Sequence, residues 1–101
     1  MNRMFCITVT FTIADPHGAA FRAAVLDNAR RSLADERGCR VFDVAVDPSG
    51  QQFFLYELYD DAAAFQAHLC TPHFAAFDAL VAPWVVDKQV RAWHRLESLA
   101  P

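Results

Sequence analysis

Six polar side chains of this 101-residue chain fall where the local pattern calls for apolar ones. Projected at about 100° per residue, Phe21, Ala24, Val25, Ala29 and Leu33 form one apolar arc, and Asn28 and Ser32 fall near its centre. His68 shares a helical face with Phe65 and Leu69 at i, i+3 and i+4, and His73 stands beside the Phe74 and Phe77 stripe. Two acids, Asp43 in VFDVAV and Glu57 in FLYELY, interrupt apolar strands. An unpaired buried amide costs about 1–3 kcal/mol, so each of these residues needs a partner, either local or a ligand.

The local partners are easy to name. Ser32 can bond the Asn28 carbonyl four residues back, a histidine can be satisfied within a core, and either acid can turn outward toward Arg40, Arg91 or Arg95. The chemical reading is that they line a cavity. An unperturbed histidine has a pKa of about 6.5, which suits His68 or His73 to general-base work at neutral pH. Asn28 and Ser32 would then hold substrate oxygens. A desolvated Asp43 or Glu57 would carry a raised pKa or orient a histidine. Phe42, Phe77 and Trp84 supply apolar walls for such a cavity. On this reading His68, His73 and Asn28 are the catalytic candidates, and Ser32, Asp43, Glu57, Phe42, Phe77 and Trp84 the substrate-binding ones. No second ligand cluster and no HExxH spacing accompanies the two histidines, so no metal is expected. His17 and His94 read as surface or edge residues.

The elements that must position these groups follow from periodicity and punctuation. Met4 to Ile13 alternates, with Phe5, Ile7, Val9, Phe11 and Ile13 on one face and Thr8, Thr10 and Thr12 on the other, which predicts a strand. Asp15-Pro16 reads as N-cap and first helical residue of a helix that runs to about Glu36 and stops before Gly38. Arg40 to Asp47 and Gln52 to Tyr59 form a hairpin across the turn Asp47-Pro48-Ser49-Gly50. Asp60 or Asp61 caps a second helix to about Cys70. Thr71-Pro72 opens a third that reaches about Ala82, and Pro83 ends it before a final strand, Val85 to Leu96. The order β-α-β-β-α-α-β predicts an α+β, ferredoxin-like domain with helices on one face of a four-stranded antiparallel sheet. Yet strand three is apolar on both sides, with Phe53, Leu55 and Tyr59 against Phe54, Tyr56 and Leu58. A sheet apolar on both faces with helices for only one predicts a homodimer through the open sheet face.

Composition narrows the class. The length fits a single domain over residues 1–101, and 54% apolar residues with thirteen aromatics exclude disorder. Three cysteines cannot staple a scaffold, and Cys6, Cys39 and Cys70 read as apolar filler. A net charge of −3 without a basic stripe argues against nucleic acid as partner. The first residues hold no apolar run of signal or membrane-span length, which makes a cytoplasmic protein with no membrane partner the expectation.

The segments NARRSLADERGCRVFDVAVDP and FFLYELYDDAAAFQAHLCTPHF resemble the antibiotic biosynthesis monooxygenase family. They are most similar to its branch of quinol monooxygenase-like proteins and the isomerase of phosphorylated autoinducer-2. The resemblance spans nearly the whole chain. It departs at Arg37, where the branch usually has proline before the glycine; this touches the helix exit rather than the pocket. The resemblance implies a dimeric α+β barrel with a pocket between helices and sheet in each subunit, usually without metal, flavin or haem. No haem-degradation motif is matched. The function it implies is a cofactor-independent monooxygenase that uses dioxygen on a small quinol- or phenol-type substrate. That chemistry needs a base, donors for an oxyanion and a dry apolar cavity. An isomerase or tautomerase of a small hydroxyketone needs nearly the same parts, and a metabolite-binding dimer needs none of the chemistry. The sequence leaves these alternatives open.

Overall fold

A computed structural model describes residues 4–99. Residues 1–3 and 100–101, the ends of the expected domain, lie outside the described residues. Strand β1 (Met4–Ile13) is followed by helix α1 (Gly18–Asp35), strands β2 (Cys39–Val46) and β3 (Gln52–Tyr59), helices α2 (Ala62–Leu69) and α3 (Pro72–Val81), a short 3-10 turn (Ala82–Trp84) and strand β4 (Val85–Arg95). The strands form one antiparallel sheet in the order β2-β3-β1-β4, so the order expected from punctuation is the order found.

The two caps behind the site form as their residue types require. The Asp61 carboxylate accepts from the Ala64 N–H at 2.8 Å, and the Thr71 hydroxyl accepts from the Phe74 N–H at 3.2 Å with Pro72 in the first turn. The start of α1 differs from expectation. Asp15-Pro16 does not open the helix, because the chain first turns: the His17 N–H donates to the Ala14 carbonyl and the Ala14 N–H to the Trp84 carbonyl, both at 2.8 Å. Helical bonding begins with the Phe21 N–H on the His17 carbonyl at 2.9 Å. At the other end, Gly38 is a close-approach position. A Cβ there would lie 2.6 Å from the Ala64 Cβ, so only glycine lets α2 settle against the exit of α1.

Alternation sorts the sheet into two faces. Ile7, Val9, Phe11 and Ile13 of β1 and Phe53, Leu55 and Tyr59 of β3 are buried beneath the helices. Phe21 is the hub of that core, with ring centroids 4.9 Å from Phe11, 4.7 Å from Phe53 and 5.9 Å from Phe77. Full burial of such a side chain stabilises by about 1.5–3 kcal/mol. The helices leave β4 uncovered. Val90 is 51% exposed, and Phe54 (44%) and Trp93 (43%) stand on the open face.

Register decides which acid reaches the core. Phe42 pairs with Glu57 and Asp43 with Tyr56, after a register shift between Cys39 and Val41. Glu57 therefore joins the buried face, while Asp43 turns to the open one and is exposed. The expectation that Asp43 lines the pocket is corrected by this alternation.

Candidate functional site

Helix α1 carries Asn28 and Ser32 on its buried side one turn apart, and the chain leaves the helix at Glu36, whose N–H still bonds the Ser32 carbonyl at 3.1 Å. Helix α2 presents His68 in its last turn. The break at Cys70–Thr71 lets α3 start at once and place His73 in its first turn. The Thr71 hydroxyl fixes that junction by donating to the His68 carbonyl at 2.8 Å. Residues separated by some forty positions thus converge behind the sheet.

Glu36 is at the centre. One of its oxygens lies 2.6 Å from His73 Nε2 and 2.9 Å from His68 Nδ1, and the other 3.0 Å from His68 Nδ1. With Glu36 ionised, both rings donate to it, a pair of charge-assisted bonds. Ser32 Oγ donates to the Asn28 carbonyl at 2.8 Å, so its own hydrogen is used, and its lone pairs face His73 Nε2 at 3.3 Å and His68 Nδ1 at 3.5 Å. The local reading of Ser32 holds, and the same hydroxyl stands beside both histidines. On the far side of the His68 ring, Nε2 lies 4.0 Å from Glu57 Oε1, which accepts the Tyr59 hydroxyl hydrogen at 2.5 Å.

Burial sets the electrostatics. Removal from water raises the Glu57 carboxyl from 4.5 to about 7, against the smaller opposing effect of the Tyr59 hydrogen bond. The same desolvation lowers the pKa of His68, with Glu36 pulling the other way. Aromatic rings enclose it, Phe74 at 5.0 Å and Phe42 at 6.0 Å between centroids. Asn28 is 2% exposed and its Oδ1 has no hydrogen-bond partner. No bond joins that oxygen to a strand.

Two spaces meet at Asn28 and Phe77. Beneath the helices, a cavity of about 60 Å³ is lined by Phe42, Phe65, Phe74, Phe77, Asn28, Glu57 and His68, among others. Outside it, a groove of about 330 Å³ runs between α1 and α3, with Asn28, Arg31, His73, Phe77 and Leu80 along it. The inner space has room for a few water-sized molecules, whereas the groove falls within the size range of small-molecule sites. A larger hollow of about 510 Å³ lies at the Asp47–Gly50 turn, but Asp47 there is occupied in bonds to Ser49 and Gln52.

Of the residues expected from sequence, His68, His73, Asn28, Ser32, Glu57, Phe42 and Phe77 are brought together. Asp43 is on the opposite face of the sheet. Trp84 is also elsewhere: it ends the 3-10 turn and stacks on His17 at 5.6 Å, bracing the loop that enters α1 rather than walling the cavity. Glu36 was not expected. Its only signal is its place four residues beyond Ser32 and eight beyond Asn28, on the line that already carries the misplaced polar residues.

A sequence profile for antibiotic biosynthesis monooxygenase matches residues 4–80. The chain belongs to the antibiotic biosynthesis monooxygenase family. Solved structures of the same fold include a candidate antibiotic biosynthesis monooxygenase from Nitrosomonas europaea, 24% identical, covering 95% of this chain and 93% of that one with a TM-score of 0.89. A Pseudomonas aeruginosa protein is also 24% identical, covering 96% and 98% with a TM-score of 0.87. A Mycobacterium tuberculosis protein is 21% identical, covering 96% and 99% with a TM-score of 0.85. At these identities the likeness establishes the fold of the family domain, not its substrate. Among curated proteins, none matches the sequence. No helix of the described residues is long and apolar enough to cross a membrane.

Proposed function

We propose that the chain is a cofactor-independent monooxygenase for a small quinol- or phenol-type aromatic, bound in the groove between α1 and α3. The observation that carries this reading is the Glu36 carboxylate shared by two histidines, one of which lines the same groove as Asn28 with its unpartnered oxygen. His73 donates through Nε2 to Glu36, which leaves Nδ1 with a lone pair. That nitrogen takes the proton of one ring hydroxyl, and Glu36 stabilises the imidazolium that results. Asn28 Oδ1 accepts the hydrogen of a second hydroxyl and is thereby satisfied. The electron-rich anion passes an electron to dioxygen, for which the inner cavity has room, and the two radicals combine at a ring carbon. Loss of water from the peroxide gives the hydroxyquinone: one quinol and one dioxygen yield one hydroxyquinone and one water. The substrate supplies every electron, so the reaction requires no external reductant.

We further read the protein as a cytoplasmic homodimer. Three unpaired cysteines favour a reducing compartment, and exposed Phe54 and Trp93 favour pairing through the sheet. The test of function is oxygen uptake by metal-stripped protein with a panel of quinols and anthrones. Uptake that falls at least about tenfold in His73→Ala and His68→Ala supports the reading. Full turnover in both variants refutes the assignment of the base. Absence of uptake on every substrate, together with proton exchange on small hydroxyketones, replaces the oxygenase by the isomerase reading.

A further inference from the structure

We propose that Glu36, His68 and His73 also form a binding site for one zinc-class divalent ion, and that the bound ion switches off the base. His68 Nδ1, His73 Nε2 and a Glu36 oxygen all lie within 4.8 Å of one another. The ligand atoms of a tetrahedral zinc site stand about 3.3 Å apart when each is about 2.0–2.1 Å from the metal. The Glu36 oxygen is 2.6 and 2.9 Å from the two nitrogens, so small side-chain rotations open the set to receive an ion. Two imidazoles and one carboxylate suit zinc and its neighbours, whereas a single oxygen ligand does not suit magnesium or calcium.

Three further features favour the ion. Ser32 Oγ, its hydrogen committed to the Asn28 carbonyl, turns its lone pairs toward both histidine nitrogens. Glu57 stands behind His68 at 4.0 Å from Nε2, where a carboxylate would receive the ring hydrogen and fix the metal-binding tautomer. His73 borders the groove, which gives an ion access.

The proton balance connects binding to activity. Without metal, the hydrogens of His68 Nδ1 and His73 Nε2 bridge to Glu36. A cation takes their place, and each hydrogen moves to the other ring nitrogen, His68 Nε2 toward Glu57 and His73 Nδ1 toward the groove. The nitrogen that would accept the substrate proton is then an N–H. This inhibitory arm rests on the proposed oxygenase reading; binding itself does not.

The experiment is titration of the metal-free full chain with Zn²⁺ by calorimetry and with Co²⁺ by visible absorption, without substrate. Cys70→Ser protein serves as background, because Cys70 is the exposed thiol. The expected result is one ion per chain, visible Co²⁺ bands of a four-coordinate site, and no response to Mg²⁺. Glu36→Gln and His73→Gln weaken binding more than about 100-fold, and Glu57→Gln, which acts only through His68, about tenfold. No binding, or binding unchanged in both Glu36→Gln and His73→Gln, overturns the proposal; the second outcome would identify an adventitious ion only. In uptake assays Zn²⁺ should inhibit at one equivalent. Binding without any uptake on any substrate sinks the oxygenase reading and leaves the metal site standing.

Discussion

Replacing Glu57 by glutamine should remove a loss of stability of about 3 kcal/mol that the wild type suffers between acid and neutral pH. The carboxyl is buried, and its pKa is 4.5 in the unfolded chain and about 7 in the folded one. The folded protein therefore binds a proton that the unfolded chain releases over this interval. Stability is complete below about 4.5 and is lost as pH rises through about 7, because the charged form is disfavoured beneath the helices. At about 1.4 kcal/mol per pH unit the loss is about 3 kcal/mol. His68 acts in the opposite sense: its lowered pKa makes stability complete above about 6.5 and erodes it as pH falls. Glutamine keeps the shape of Glu57 and an oxygen to accept the Tyr59 hydroxyl, so the variant isolates the charge. The assay is urea unfolding followed by the fluorescence of Trp84 and Trp93, with chelator present and protein concentration fixed, from about pH 4.5 to pH 8.5. The wild-type curve minus the variant curve should fall by about 3 kcal/mol across that range. A difference that stays flat would mean that Glu57 is solvated in the folded protein, and the desolvation argument would fail with it.

The other predictions concern single contacts. Asn28→Leu removes the unpartnered oxygen and should hold or raise stability by up to about 1–3 kcal/mol while oxygen uptake falls at least about tenfold; unfolding and uptake measured on one preparation separate the two. Gly38→Ala forces a Cβ to 2.6 Å from that of Ala64 and should cost about 1–3 kcal/mol in a denaturant melt. Phe54→Asp places a charge on the open face of the sheet and should leave the proposed dimer monomeric in sedimentation at micromolar concentration, with the circular dichroism of the fold retained.

The order of elements was legible because the strands alternate with period two and the helix starts behind the site carry their own caps. Val9, Phe11 and Phe53 lie where alternation puts them, and Asp61 and Thr71 cap the helices they precede. The entry to α1 was not legible at its first residues. Asp15 and Pro16 suit a helix start, but the Ala14–Trp84 bond ties them to the distant 3-10 turn.

The site was legible where residue type and pattern disagree. Asn28, Ser32, His68 and Glu57 are polar residues at positions whose neighbours are apolar, and each is buried. Asp43 shows the same disagreement yet faces outward, because the irregular pairing at Cys39–Val41 fixes which face β2 presents, and no residue type announces that shift. Glu36 is the converse case. A glutamate at the end of a helix before a glycine disagrees with nothing, so the sequence alone gives no reason to bury it. Its burial comes from α2 and α3, which fold over the exit of α1 and bring His68 and His73 to its two oxygens. The group that joins the site together is therefore the one whose local sequence looks most ordinary. It was detectable only by extending the four-residue spacing of Asn28 and Ser32 one step past the end of the helix, where side-chain direction depends on the chain's exit and not on helical periodicity.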